Sequence, residues 1–122
     1  MRIAYFDCFS GASGDMILGS LIDAGLSPRR LREELKKLRI PTIYLKAKNV
    51  LKADLSATQV IVEDRGEKRS HRNLKEILRI IERSGIEAEV KEKSKEIFKR
   101  IASVEAKIHQ TPMEEVHFHE LG

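Results

Sequence analysis

TIYLKAKNVLKADLSATQVIVE, Thr42 to Glu63, is the stretch that decides the fold. TIYLKAKNV (42–50) alternates apolar and polar residues, and so does LSATQVIVE (55–63). That period of two is the mark of half-buried strands, whose side chains point to opposite faces in turn. Lys52 to Asp54 lie between them and supply the turn, so the stretch reads as a β-hairpin.

On either side the period changes to that of a helix. Upstream, Met16, Ile17, Leu18, Leu21 and Ile22 recur at helical spacing, and Gly25 suits the left-handed residue that closes a helix. Ser27 can cap a second helix with Pro28 at its first position, and Leu31, Leu35 and Leu38 mark its buried stripe. Ile40-Pro41 ends it. Before these, RIAYFD (2–7) reads as a short buried strand ending at Asp7. Downstream, RGEKRSHR (65–72) is a basic, polar segment expected to be a mobile loop. Asn73 with Glu76 then forms a capping box that opens a helix with Leu74, Ile77, Leu78 and Ile81, and Ser84-Gly85 breaks it. The longest helix is expected from Glu87 to His109, with Val90, Ile97, Phe98, Ile101, Val104 and Ile108 as its apolar face. Glu87–Lys91, Glu89–Lys93 and Glu96–Arg100 are spaced for ion pairs on its solvated side. Thr111-Pro112, with Glu114 in capping position, restarts the chain and opens a segment, 111–122, that is expected to continue beyond Gly122. The whole predicts one α+β domain over 1–122, in the order β-α-α-β-β-α-α. Its expected form is a small two-layer sandwich with helices packed on one face of a short mixed sheet.

Composition narrows the function classes. The chain has 122 residues, and 34% are charged; 23 basic against 19 acidic residues give a net charge of +4. The basic residues are spread along the chain and alternate with acids. With only two tyrosines, four phenylalanines and no tryptophan for base stacking, nucleic-acid binding is disfavoured. The single cysteine, Cys8, permits no internal disulfide and suits a reducing cytoplasm. Arg2 is followed by only four uncharged residues before Asp7, too few for a secretory signal. No apolar run approaches the roughly 20 residues of a membrane span.

The chemistry concentrates in DCFSGASGD, Asp7 to Asp15. A chain passing through glycines into a helix N-terminus can bind anions, because free N–H groups and the helix dipole face outward. Gly11 and Gly14 give the loop its backbone freedom, and Ser10 and Ser13 can cap the helix or donate to a ligand oxygen. Neither the Walker pattern nor G-x-G-x-x-G is present. No Lys or Arg stands between Arg2 and Arg29, whereas Asp7 and Asp15 place two carboxylates at the rim. Asp15 in the first turn would repel an unaccompanied phosphate. A metal ion bridging the carboxylates to an anionic ligand resolves the conflict. A plain reading also stands: Ser13 and Asp15 finish the helix while the glycines make a turn.

Cys8 reads most simply as a small buried apolar residue. The four histidines are His71, His109, His117 and His119. His117 and His119 share a side if VHFHEL is extended, as its alternation suggests, and diverge if it is helical. In a helix, Glu114 with His117, or His117 with Glu120, would share a face instead. A surface pair and a ligand pair fit the pattern equally. His109, in the last turn of a helix, suits the dipole.

DCFSGASGD, SHRNLKEI and the final TPMEEVHFHELG, in that order, resemble one family: the N-terminal part of the nickel-insertion, LarC-type, proteins. The resemblance covers nearly all of the chain. It implies insertion of nickel into pyridinium-3,5-bisthiocarboxylic acid mononucleotide, giving the nickel-pincer cofactor of lactate racemase. That reaction is CTP-dependent, of the lyase class, and forms nickel–carbon and nickel–sulfur bonds. The family protein is about three times longer, and CTP with its divalent cation is associated with the C-terminal region. The resemblance therefore implies a module that is not active alone and whose partners are the mononucleotide and a C-terminal or split remainder. A homo-oligomer is also allowed. By the same resemblance Asp7 and Asp15 take catalytic roles, Ser10, Gly11, Ser13 and Gly14 bind the ligand, and His71, His117, His119 and Glu120 bind Ni²⁺. Some relatives carry a histidine-rich insert where this chain has RGEKRSHR, which weighs against a nickel-storing loop here. The reading from another class is a non-catalytic nucleotide- or protein-binding assembly module that uses the Gly/Ser loop.

Overall fold

A computed structural model describes residue 1 and residues 3–66 and 72–118. Six regular elements and a short 3₁₀ turn follow in order: α1 (Gly14–Asp23), α2 (Pro28–Lys36), β1 (Ile43–Lys52), β2 (Leu55–Asp64), α3 (Leu74–Arg83), α4 (Ala88–His109) and the turn Met113–Glu115. The class is α+β.

The hairpin forms as its alternation requires. β1 and β2 pair antiparallel from Ile43↔Asp64 to Lys52↔Leu55, which leaves a two-residue turn of Ala53 and Asp54. Both turn residues have positive φ, 46° and 61°. That conformation matches the right-handed twist of the strands, and here it is adopted without glycine. Val60 and Leu45 are the buried residues of the pair.

Helix α1 lies against β2 at a point where no side chain fits. A Cβ on Gly19 would stand 2.5 Å from the Thr58 carbonyl oxygen. The contact is secured by the Thr58 hydroxyl, which donates to Asp23 Oδ1 at 2.9 Å. Beyond Asp23 the chain closes in a Schellman motif. The Gly25 N–H reaches the Ile22 carbonyl and the Leu26 N–H the Leu21 carbonyl, each at 2.9 Å, with Gly25 at φ +105°. Helix α2 is tied to the sheet by Arg32 Nε, which donates to the Leu45 carbonyl at 3.2 Å. Ser27 precedes it and Pro28 occupies its first position, but the Ser27 hydroxyl makes no capping bond.

The main core is helical and lies apart from the hairpin. Leu74, Ile77 and Ile81 of α3, Ala102 of α4, and Val116 and Phe118 are buried together. The Phe98 and Phe118 rings meet edge to face at 5.8 Å. The capping box is complete: Asn73 Oδ1 accepts the Glu76 N–H, and Glu76 Oε2 accepts the Asn73 N–H, each at 3.0 Å. Lys91 Nζ donates to the Glu82 carbonyl, and Lys95 bridges Glu82 and Glu92, which together lace α4 to α3. Of the three ion pairs expected on α4, only Glu89–Lys93 forms among the described residues, at 2.9 Å.

Four expectations are corrected. Residues 3–7 form no strand, and Ile3 and Tyr5 are 79% and 87% exposed. A strand exists only where a neighbour supplies its ladder hydrogen bonds, and among the described residues β1 and β2 pair only with each other. The sheet is accordingly antiparallel, not mixed. The helices are not one layer on one sheet face: α1 packs on β2, whereas α3 and α4 pack on each other. The expected apolar face of α4 also divides, since Phe98 and Ile101 meet the core while Val90, Ile97, Val104 and Ile108 are about half or more exposed. The 65–72 segment falls mostly on residues 67–71, outside the described residues. No helix among the described residues is long and apolar enough to cross a membrane.

Candidate functional site

The loop before α1 is built by its glycines and serines. Gly11, at φ +81°, donates to the Cys8 carbonyl at 3.4 Å and closes a turn over Phe9 and Ser10. Ser13 then precedes the helix, and its carbonyl accepts the Ile17 N–H at 3.1 Å. Its hydroxyl makes no bond to the helix backbone and donates to Asp15 Oδ1 instead. The Ser13 hydroxyl is the main reason that Asp15 is held below the usual carboxylate range; desolvation opposes this, and the nearby backbone N–H groups of Met16 and Asp15 add to it.

This geometry decides what the loop can hold. The N-terminus of α1 already faces an anion, its own Asp15. A second bare anion would compete for the same N–H groups against a charged carboxylate. A divalent cation meets no such opposition, since Asp15 is ionised and exposed.

Beside the loop runs an open groove of about 250 Å³. Phe6, Phe9, Met16 and Ile17 give it apolar walls, and Asp7, Cys8 and Ser10 contribute polar groups. Asp7, Ser10 and Gly11 therefore share one groove, with Ser13, Gly14 and Asp15 continuing from it into α1. Cys8 is exposed, which corrects the reading of a buried apolar residue. With no strand formed at 3–7, the cysteine is carried into the groove lining. The apolar walls were hidden in the sequence, where aromatic and aliphatic residues next to a helix read as core.

Of the late histidine motif, Val116 to Phe118 are described, and they are extended. After the turn Met113–Glu115, Val116 and Phe118 are buried and His117 between them is exposed. Asn73 and His117 form an antiparallel bridge, and the Phe118 N–H points to the Arg72 carbonyl at 3.4 Å. The middle and late motifs thus lie side by side. His71, His119 and Glu120 lie outside the described residues. Among the described residues, no hydrogen bond or ion pair joins the Asp7–Asp15 loop to His117, and no three His, Cys, Asp or Glu side chains gather to hold a metal. His109 pairs with Glu105 at 3.1 Å in the last turn of α4, in keeping with its place at the dipole.

Comparison with known proteins addresses the chain as a whole. Residues 4–122 match the family described as nickel insertion protein. A pyridinium-3,5-bisthiocarboxylic acid mononucleotide nickel insertion protein of Desulfitobacterium hafniense strain DSM 10664 / DCB-2 is 48% identical over 122 residues, covering 100% of this chain and 30% of its own length. A protein of the same name from Geobacillus kaustophilus strain HTA426 is 44% identical over 131 residues, covering 100% of this chain and 32% of its own. The chain thus spans about a third of the length of these relatives. No solved structure matches it. With the three motifs in order and the match running from residue 4 to residue 122, this chain belongs to the nickel insertion protein family.

Proposed function

We propose that this chain is the N-terminal metal- and ligand-holding module of a protein that places Ni²⁺ into a sulfur-bearing pyridinium mononucleotide. The observation that carries the reading is the match of the whole chain, at 48% identity, to a relative whose name states that insertion. Nickel is cargo here, so its ligands must hold it and then release it. Imidazoles and carboxylates suit such an ion.

In this reading His71, His117, His119 and Glu120 take up Ni²⁺. The bridge between Asn73 and His117 supports this by joining the two segments that carry those residues. Asp7 and Asp15 offer carboxylates to the metal-bearing ligand, while Ser10, Gly11, Ser13 and Gly14 shape the loop around its polar atoms. The apolar walls of the groove suit the flat face of a pyridinium ring. In this reading an ionised carboxylate at the rim favours the cationic metal as it arrives.

CTP does not fit these residues. The α1 N-terminus faces Asp15, and no Lys or Arg lies between positions 2 and 29. Any nucleotide-dependent step belongs, in this reading, to the part of the family protein beyond this chain. The module is then not an enzyme by itself, and its exposed Cys8 thiol suits a reducing cytoplasm. A nucleotide-binding assembly role without a metal has less support, because a mononucleotide phosphate would face Asp15 unaided.

Titration of the purified chain with Ni²⁺ by calorimetry tests the proposal. Micromolar or tighter binding is expected, weakened at least about 10-fold when His117 and His119 are changed to alanine. Unchanged binding in that double variant sinks the metal assignment. Mononucleotide titrations with and without Ni²⁺ separate the second reading, which requires binding that does not depend on the metal.

A further inference from the structure

Helix α4 carries an apolar surface that the fold leaves uncovered. Val90, Ile97, Val104 and Ile108 are 48%, 59%, 51% and 67% exposed. From Ile97 through the half-buried Ile101 to Val104 and Ile108 they recur at spacings of four, three and four, with Val90 seven residues before Ile97, which is the seam of a helix packed along another helix. On the core side of the seam, Phe98, Ala102 and Ala106 meet α3 and the 3₁₀ turn, so the helix is already fixed in orientation. On its outer side run Lys93, Arg100 and Lys107, seven residues apart and all exposed. Among the described residues only Lys93 of these three has an acidic partner, Glu89 on the same helix.

We infer that this seam docks an amphipathic helix with an acidic row, belonging to the part of the family protein that this chain does not include. The charges argue against a second copy. In an antiparallel pair of α4 helices, the basic rows would face one another. In a parallel pair, Arg100 would meet Glu105 of the other copy, Lys93 would meet Phe98, and Glu105 is already engaged by His109. A helix bearing Asp or Glu opposite Lys93, Arg100 and Lys107 satisfies all three. The family supplies the material: the Desulfitobacterium hafniense relative has 70% of its length beyond the segment that matches this chain. The inference rests on the reading of this chain as one module of that longer protein. It does not depend on the nickel ligands.

The test is thiol labelling at the seam. Ile97→Cys in a Cys8→Ser background should react rapidly in the isolated chain, because Ile97 is exposed. A full-length chimera, with this chain in place of the matched segment of the Desulfitobacterium hafniense relative, should label at least about 10-fold more slowly at the same thiol. Adding Arg100→Glu and Lys107→Glu should restore fast labelling in the chimera. A full-length relative with cysteine at the position aligned with Ile97 gives the same readout in a native protein, should the chimera fail to fold. Equal labelling rates in the isolated and full-length forms overturn the docking. Protection that survives the charge reversals overturns the acidic row, and a dimer of the isolated chain that Ile97→Asp dissolves would make the occupant a second copy. Loss of nickel binding would leave all of these rates unmoved, so the two proposals fail separately.

Discussion

The α3–α4 cluster and the arm before α1 are rich in similar residues and reach opposite ends. In the cluster, Ile77, Ile81 and Phe118 are 7%, 5% and 3% exposed. In the arm and loop, Ile3, Tyr5 and Phe9 are 79%, 87% and 99% exposed. The difference is not one of hydrophobicity. The cluster closes on itself because two helices and an extended segment supply one another's apolar partners, and a capping box satisfies the first N–H groups of α3. The arm has β-forming residues but, among the described residues, no strand beside it, so Ile3 and Tyr5 stay exposed while Phe6 and Phe9 line an open groove. One half of the chain is thus well packed, while in the other the apolar side chains of the arm stay exposed.

The largest effect that could break this comparison is a matched pair of truncations. Phe118→Ala should cost about 3–5 kcal/mol in urea unfolding, whereas Phe9→Ala should stay within about 0.5 kcal/mol. Equal losses would mean that the arm is buried in solution. Next comes the join between α1 and the hairpin. Gly19→Ala sets a Cβ against the Thr58 carbonyl, and the displacement of α1 should cost about 1–3 kcal/mol, read from the same unfolding curves. A neutral result would show that α1 does not sit on β2 as described. Asn73→Ala removes half of the capping box and should cost about 1 kcal/mol, with Asn73→Asp retaining most of the stability.

The smallest effect sharpens the loop. The Asp15 carboxyl is held low chiefly by the Ser13 hydroxyl, so Ser13→Ala should raise its pKa toward the ordinary 3.8 in a carboxyl NMR titration. Because the folded pKa is depressed, its contribution to stability is present above the unfolded pKa and is lost as pH falls through the lower folded value. An unmoved Asp15 titration would show that the bond does not persist in solution.

Much of the cluster was legible because its signals are local. The Asn73–Glu76 box, the breaker Ser84-Gly85 and the helix to His109 each depend on residues within a turn or two. The hairpin follows from the alternation on both sides of Ala53 and Asp54. The RIAYFD strand failed for the opposite reason, since its propensity is local but its hydrogen-bond partner is not. The site was legible only in part. The loop residues Asp7 to Asp15 stood out as a motif, while the exposed Cys8 and the apolar walls of Phe6 and Ile17 gave no signal distinct from core.

By itself, the sequence determined the helices, the hairpin, the two carboxylates of the loop and the family to which its motifs point. These rest on periodicity, turn chemistry and residue identity, all of which operate over short spans. Tertiary structure alone decided that the 3–7 arm finds no strand partner, that Asn73 meets His117, and that the apolar face of α4 divides between core and surface. Each of those depends on which distant surfaces are present to compete for a side chain, and burial is settled only when the competing surfaces are in place.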